Sequence, residues 1–318
     1  MISDFFAVPV VLFGWGQWSR ARFAPILLPL ARWGVIRLTI VDRWVIPPAE
    51  LSALGQEGVL SYLPWEDAGS EAESQWRVAF VVTGADTHAS VILRLLEKAP
   101  NINLIIVEKP AGVSLVSAQM ICDACQRKGV TLLMADHYLL RPAVVYLSAN
   151  PELMRSIGEL VHIRAAINES QSTGPYQHGV IKDLLVHLLD LLAAFFQGAR
   201  FTADKAFTRR ASDNTQTEDE TYAFIEGHLL VPEHPPVRTE LECGKQLAED
   251  RKEIVFTGSE GILRLDLIAN SLTINFNGQG PIKKEVNLQW PSIWSYARLI
   301  LFALLLSVSS LSAPSRRM

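Results

Sequence analysis

Apolar positions in roughly the first 140 residues gather in short continuous runs and do not alternate with polar ones. Residues 9–13 form the first run and stop at Gly14, and 35–41, 78–82, 104–107 and 130–134 follow as four more. Segments of helical length, 19–31, His88–Lys98 and 114–128, separate them. Strands apolar on both faces and interleaved with helices predict a parallel sheet covered on both sides. After Pro142 the pattern changes. Residues 160–167 read as a strand and 179–196 as a helix. Short strand candidates follow at 222–225, 238–241, 253–256, 262–265, 272–276 and 283–288, punctuated by Gly and Asn. Such short connections predict an antiparallel, meander-like sheet. The polar stretch 212–220 predicts a loop. The fold class expected is therefore α/β plus α+β. A doubly wound parallel sheet occupies 1–142, and an open, mostly antiparallel sheet with helices on one face occupies 143–318.

Composition narrows the function. A chain of 318 residues suits about two domains, and 49 % apolar content is ample for their cores. Charged residues make up 19 %, the net charge is −4 and the basic residues form no stripe, so neither nucleic acid nor a membrane surface is an expected partner. A small molecule is. Three cysteines are too few and too odd for a disulfide framework. Cys122-Asp-Ala-Cys125 falls mid-helix with no second Cys or His pair at finger spacing, so no metal or redox centre is expected. The apolar stretch 299–308 is too short to span a bilayer and reads as a buried helix or one docked on a partner subunit. With no basic region at the N-terminus, a cytoplasmic location is expected.

Candidate chemistry collects at strand ends. The turn Gly14-Trp15-Gly16-Gln17-Trp18-Ser19 joins the first strand to the first helix. There the first Gly permits a tight turn, the second lets backbone approach a pyrophosphate, and Ser19 takes the third small position. Asp42, ending the second strand, lies where a carboxylate would hydrogen-bond a ribose, and it favours NAD by repelling a 2′-phosphate; Arg43 would instead grip that phosphate and admit NADP. Thr83 to His88 follows the third strand, Glu108-Lys109-Pro110 the fourth, and Asp136-His137-Tyr138 the fifth. Each group is either an ordinary turn or part of a rim that faces a ligand crevice. For Lys109 the second reading makes the ammonium a proton donor or an anchor, with Glu108 as electrostatic partner. On the later helix, Asp183 and His187 stand four residues apart on one face, with Asp190 on the same side. A carboxylate stacked on a histidine would orient it for acid–base work, although a histidine among leucines is also an ordinary core residue.

Four ordered motifs, Gly14-x-Gly16, Thr83 to His88, Glu108-Lys109-Pro110 and Asp183-x-x-x-His187, from about residue 10 to 192, resemble the glucose–fructose oxidoreductase/inositol dehydrogenase (Gfo/Idh/MocA) family. The resemblance implies a Rossmann domain, NAD or NADP as cofactor, and hydride transfer to or from a carbinol or keto carbon of a sugar, polyol or (amino)cyclitol. It implies cofactor contacts from Gly14, Gly16, Gln17, Trp18, Asp42, Arg43, Thr83, His88, Glu108 and Lys109. Lys109 would bind or polarise the reacting oxygen, His187 would exchange its proton, and Asp183 would position both; Asp136, His137, Tyr138 and Arg141 would meet substrate. Departures are Gly84 where the family has Pro, and Ser19 for the third Gly. Glu108 to Gly112, Asp136 to Leu139 and Gly244 to Leu247 are also similar to glucose-6-phosphate dehydrogenase, which would make Arg141 a sugar-phosphate ligand. The chain is too short for that enzyme. The rival class is a nucleotide-binding sensor without chemistry. Either would assemble as a homodimer or homotetramer through an apolar open face of the second sheet.

Overall fold

The structure is a computed structural model that describes residues 7–43, 60–64, 75–170, 179–210, 220–277 and 292–312. The chain forms two compact units, one of residues 1–135 with 296–318 and one of 136–295. This differs from the expected 1–142 and 143–318. Asp136 and Tyr138 already pack in the second unit, and the last helix returns to the first.

Six parallel strands build the first unit: β1 (Val8–Phe13), β2 (Ile36–Asp42), β3 (Leu60–Pro64), β4 (Val78–Val81), β5 (Leu104–Glu108) and β6 (Thr131–Ala135). Their spatial order is β3-β2-β1-β4-β5-β6, so the chain reverses direction of winding between β1 and β4. In such a sheet, ligands bind beyond the carboxyl ends of the strands at that switch point. Helices α1 (Gln17–Arg22), α2 (Ala24–Arg32), α3 (His88–Lys98) and α4 (Leu115–Lys128) connect the strands. Val11, Phe13, Ala79, Val81, Ile105 and Val107 face α3 and α4, where Val91, Leu95, Ile121 and Cys125 complete the core. On the opposite face Phe23 meets Phe80 edge-on, with ring centroids 5.7 Å apart. That double burial is why these strands lack alternation.

The second unit holds β7 (Leu160–Glu169), β8 (Arg200–Arg209), β9 (Tyr222–Leu230), β10 (Val237–Lys245), β11 (Arg251–Gly258), β12 (Gly261–Asp266) and β13 (Ser271–Phe276). Its order is β13-β12-β11-β7-β10-β9-β8. The sheet is mostly antiparallel but is no simple meander, because β7 lies at its centre and pairs with β10 in parallel. Helices α5 (Pro142–Ala149), α6 (Glu152–Arg155) and α7 (Val186–Phe195) follow in chain order, the last entered through one π-helical turn, Ile181–Leu185. Ile163, Ala165, Leu241, Ile254, Phe256 and Leu263 on the inner face pack against Val144 and Leu147 of α5 and Leu188 and Leu191 of α7.

The other face is not apolar, contrary to expectation. Period-two alternation turns Arg164, Glu240 and Arg238 outward, where they form ion pairs at 3.1–3.2 Å. Arg251 similarly reaches Glu242 and Glu253, and Arg264 reaches Glu253. The expected strand 283–288 lies outside the described residues, as does nearly all of the expected loop 212–220. Helix α8 (Ser292–Ser312) closes the chain. Tyr296, Leu299, Ile300 and Ala303 are buried, and Tyr296 stacks edge-on against Phe23 at 5.3 Å, which ties this helix to the first unit. Among the described residues, no helix is long and apolar enough to cross a membrane.

Candidate functional site

In the first unit the glycine turn is built as its sequence suggests. Gly14 has φ +96°, and a Cβ there would come within 2.7 Å of the Val82 carbonyl oxygen, so β1 can approach the end of β4 only with glycine. Gly16 has an ordinary φ of −76°, and a Cβ there would meet nothing within 4 Å. Its lack of a side chain therefore serves open space and not the fold. Ser19, fully buried, donates from Oγ to the Gly16 carbonyl at 3.0 Å and fixes the turn. The Trp15 backbone N–H donates to Asp42 Oδ2 at 2.5 Å, so one oxygen of the ribose candidate already holds this turn. Arg43, next along, is exposed.

Glu108, at the end of β5, is the most constrained of the group. Its carboxyl is buried and accepts from Trp18 Nε1–H at 3.0 Å and from the Lys109 backbone N–H at 3.2 Å. Burial pushes it up to about 7, against the opposing pull of the Trp18 bond and the Lys109 charge. It is thus a weaker anion than a strand-end carboxylate was expected to be. The Lys109–Pro110 peptide is cis. His88 is a strut: Nε2 lies 3.0 Å from the Thr83 carbonyl and Nδ1 3.0 Å from the Pro110 carbonyl. It joins the loops after β4 and β5, and burial lowers its pKa. Thr83 Oγ1 accepts from Thr87 at 2.8 Å, so that side chain too is engaged within its own loop.

In the second unit, Asp136 and His187 come together. His187 Nδ1 lies 2.9 Å from Asp136 Oδ2, with both side chains almost wholly buried. Asp136 Oδ1 accepts the Tyr138 backbone N–H at 2.8 Å, which fixes the carboxylate. His137 and Tyr138 complete the group, their rings at 5.4 Å and 4.8 Å from the His187 ring. Asp190, one turn along α7, faces Asp136; burial first, then the Asp136 charge and hydrogen bond, push it up to about 7. The expected partner of His187, Asp183, sits in the π-helical turn and receives the ammonium of Lys245 from the end of β10. Arg141 donates to the Leu267 carbonyl and lies 4.8 Å over the Tyr138 ring. The carboxylate–histidine pair that the fold assembles is therefore Asp136–His187.

Residues 54–137 match the GFO_IDH_MocA family, an oxidoreductase family with an NAD-binding Rossmann fold. No curated protein sequence matches the chain. Among solved structures it is similar to UDP-N-acetylglucosamine 3-dehydrogenase GnnA from Acidithiobacillus ferrooxidans, at 18 % identity and TM-score 0.74 over 96 % of this chain and 90 % of that one. It is similar also to levoglucosan dehydrogenase in complex with NADH and levoglucosan (16 %, 0.74, 95 % and 90 %). A super-repressor mutant of Gal80p from Saccharomyces cerevisiae aligns as well (16 %, 0.78, 98 % and 87 %). The Gfo/Idh/MocA fold, a Rossmann sheet followed by a mostly antiparallel one, is thus the fold of this chain.

Three residues of these clusters are not marked by any motif role. Lys245 is a buried lysine at a strand end, a signal as legible in the sequence as Lys109. Asp190 shares a helical face with Asp183 and His187, but the group it faces is Asp136, 54 residues away (190 − 136). Tyr296 carries no local signal at all.

Proposed function

We infer that the protein is an NAD(P)-dependent oxidoreductase that moves a hydride between nicotinamide and a carbinol or keto carbon of a sugar, polyol or (amino)cyclitol. The observation that carries this reading is the buried Asp136–His187 pair, in a chain whose fold is shared with GnnA and levoglucosan dehydrogenase. The dinucleotide fits the first unit: the open space at Gly16 admits a pyrophosphate, and Asp42 stands at the end of β2 for a ribose. Bound there, nicotinamide supplies the hydride acceptor or donor. His187 takes up or returns the hydroxyl proton, and Asp136 holds its ring and balances the imidazolium. Lys109 anchors the reacting oxygen, and Asp183, held by Lys245, offers a carboxylate oxygen to substrate hydroxyls. The acidic Asp42 favours NAD over NADP.

Lys109→Ala and His187→Ala should each remove turnover on a ketose and polyol panel while NADH binding by equilibrium dialysis persists. Full activity in both variants sinks the assignment. The similarity to Gal80p, whose description is that of a repressor, supports a second reading as a nucleotide-binding regulator. Under that reading wild type binds NADH or NADPH and turns over nothing on the panel. A cytoplasmic location agrees with three free cysteines. Self-association through the outer face of the second sheet would use its ion pairs and should weaken with salt in light scattering.

A further inference from the structure

We propose that Asp136, His137 and His187 form a binding site for a divalent transition-metal ion of the Zn2+ class, whose loading withdraws His187 from proton exchange. The three side chains come from the loop after β6 and from α7, and their ligand atoms all lie within 4.8 Å of one another. Asp136 Oδ2 and His187 Nδ1 approach to 2.9 Å, yet both are buried and neither has the alignment of a hydrogen bond. Two lone-pair-bearing atoms that converge without a donor aimed at an acceptor are arranged as ligands of a common point. Close by, Asp190 faces Asp136, and its buried Oδ2 has no hydrogen-bond partner among the described residues.

The donor set selects the ion. Two imidazoles and one carboxylate suit Zn2+, Co2+ or Fe2+, whereas Mg2+ and Ca2+ prefer oxygen alone. Three protein ligands leave a fourth position for solvent, the pattern of an open site. A tetrahedral ion with bonds of about 2.0–2.1 Å holds its ligand atoms about 3.4 Å apart, so the widest pair must close by up to about 1.4 Å and the Asp136–His187 pair open by about 0.5 Å. His137, only partly buried, would supply most of that movement, whereas Asp136 and His187 are buried. The second shell is present as well, since the Tyr138 N–H fixes the carboxylate oxygen that faces away from His187. Because metal and proton compete for His187, the ion would act as an inhibitor. That consequence rests on the hydride-transfer reading; the binding itself does not.

The test is a Co2+ titration of the full, untagged, chelator-treated chain, read by the visible d–d bands of tetrahedral cobalt. Saturation at one equivalent, displacement by Zn2+, and affinity at least about 100-fold weaker in both His137→Ala and the near-isosteric Asp136→Asn are expected. Circular dichroism confirms that each variant is folded. His228→Ala removes an exposed histidine paired with Asp204 at 2.8 Å, and should leave the bands unchanged. No tetrahedral bands in wild type, or bands of equal affinity in folded His137→Ala and Asp136→Asn, overturn the site. Once a substrate turns over, saturating Zn2+ should abolish the rate, and an unchanged rate overturns the withdrawal of His187. If no substrate turns over, the hydride-transfer reading fails while the cobalt titration still decides the site.

Discussion

Glu108→Gln isolates a proton that the fold holds near neutrality. Burial raises the Glu108 carboxyl from 4.5 to about 7, and at 1.36 kcal/mol per pKa unit that is a difference of about 3 kcal/mol. The sign follows from proton counting. Between pH 4.5 and about 7 the unfolded chain has lost this proton while the folded chain keeps it, so folding becomes less favourable as pH rises. The contribution is fully present below about 4.5 and lost by the time pH passes about 7. Glutamine accepts the Trp18 bond through its own Oε1 but cannot ionise. It changes stability by a constant, whereas the wild type acquires a slope.

Two compact units need not unfold together, so the readout should report on the first unit alone. Protection of the β5 amides against hydrogen exchange in low urea does this, corrected for intrinsic exchange at pH 5, 6, 7 and 8. Relative to Glu108→Gln, the wild type should lose up to about 3 kcal/mol across that range, most of it between pH 5 and 7. A difference that stays flat within about 0.5 kcal/mol would mean that Glu108 is ionised throughout, and the argument from burial would be wrong.

Gly14→Ala should cost about 2–3 kcal/mol by forcing a Cβ at φ +96° against the Val82 carbonyl, whereas Gly16→Ala should unfold normally and weaken NADH binding about tenfold or more in equilibrium dialysis. Equal effects of the two on stability would contradict the division of labour in that turn. His88→Phe keeps the size but removes the ring N–H that can donate to one of the two carbonyls, and should cost about 1–2 kcal/mol in denaturant titration. Lys245→Met removes the buried ammonium from the Asp183 carboxylate; with Asp183 still 29 % exposed the loss should be about 1–2 kcal/mol, and the double change with Asp183→Leu should recover most of it. A neutral single variant would show that solvent, not Lys245, carries that charge.

Five of the six parallel strands were legible because burial on both faces writes itself as an uninterrupted apolar run. β8 was missed for the opposite reason: Arg200–Arg209 is an edge strand, nearly all exposed, and its Lys, Arg, Asp and Thr carry no period-two signal. The position of β7 at the centre of its sheet was equally unreadable, since order among strands depends on pairings between distant segments. At the site, every polar residue of Asp136–Tyr138 and of the helix with His187 was visible, but their partnership was not. Helical spacing offers only neighbours along one helix, so it supplied Asp183 to His187. The fold supplies Asp136 from a loop 51 residues earlier (187 − 136) and gives Asp183 to a lysine on a strand.

Charge was the property least readable of all, and for one reason in both units. A sequence presents Glu108 and Asp190 as anions, one beside Lys109 and one beside a histidine. Desolvation, which no local pattern encodes, pushes each carboxyl up to about 7. Tyr296 is buried over Glu108 by a helix 188 positions on (296 − 108), and Asp136 faces Asp190 from another element. Burial thus sets both protons, with the Asp136 charge adding to it at Asp190 and Tyr296 weakly opposing it at Glu108. Replacing Asp136 or Tyr296 should move a titration without altering any residue of the Gly14, Lys109 or His187 motifs.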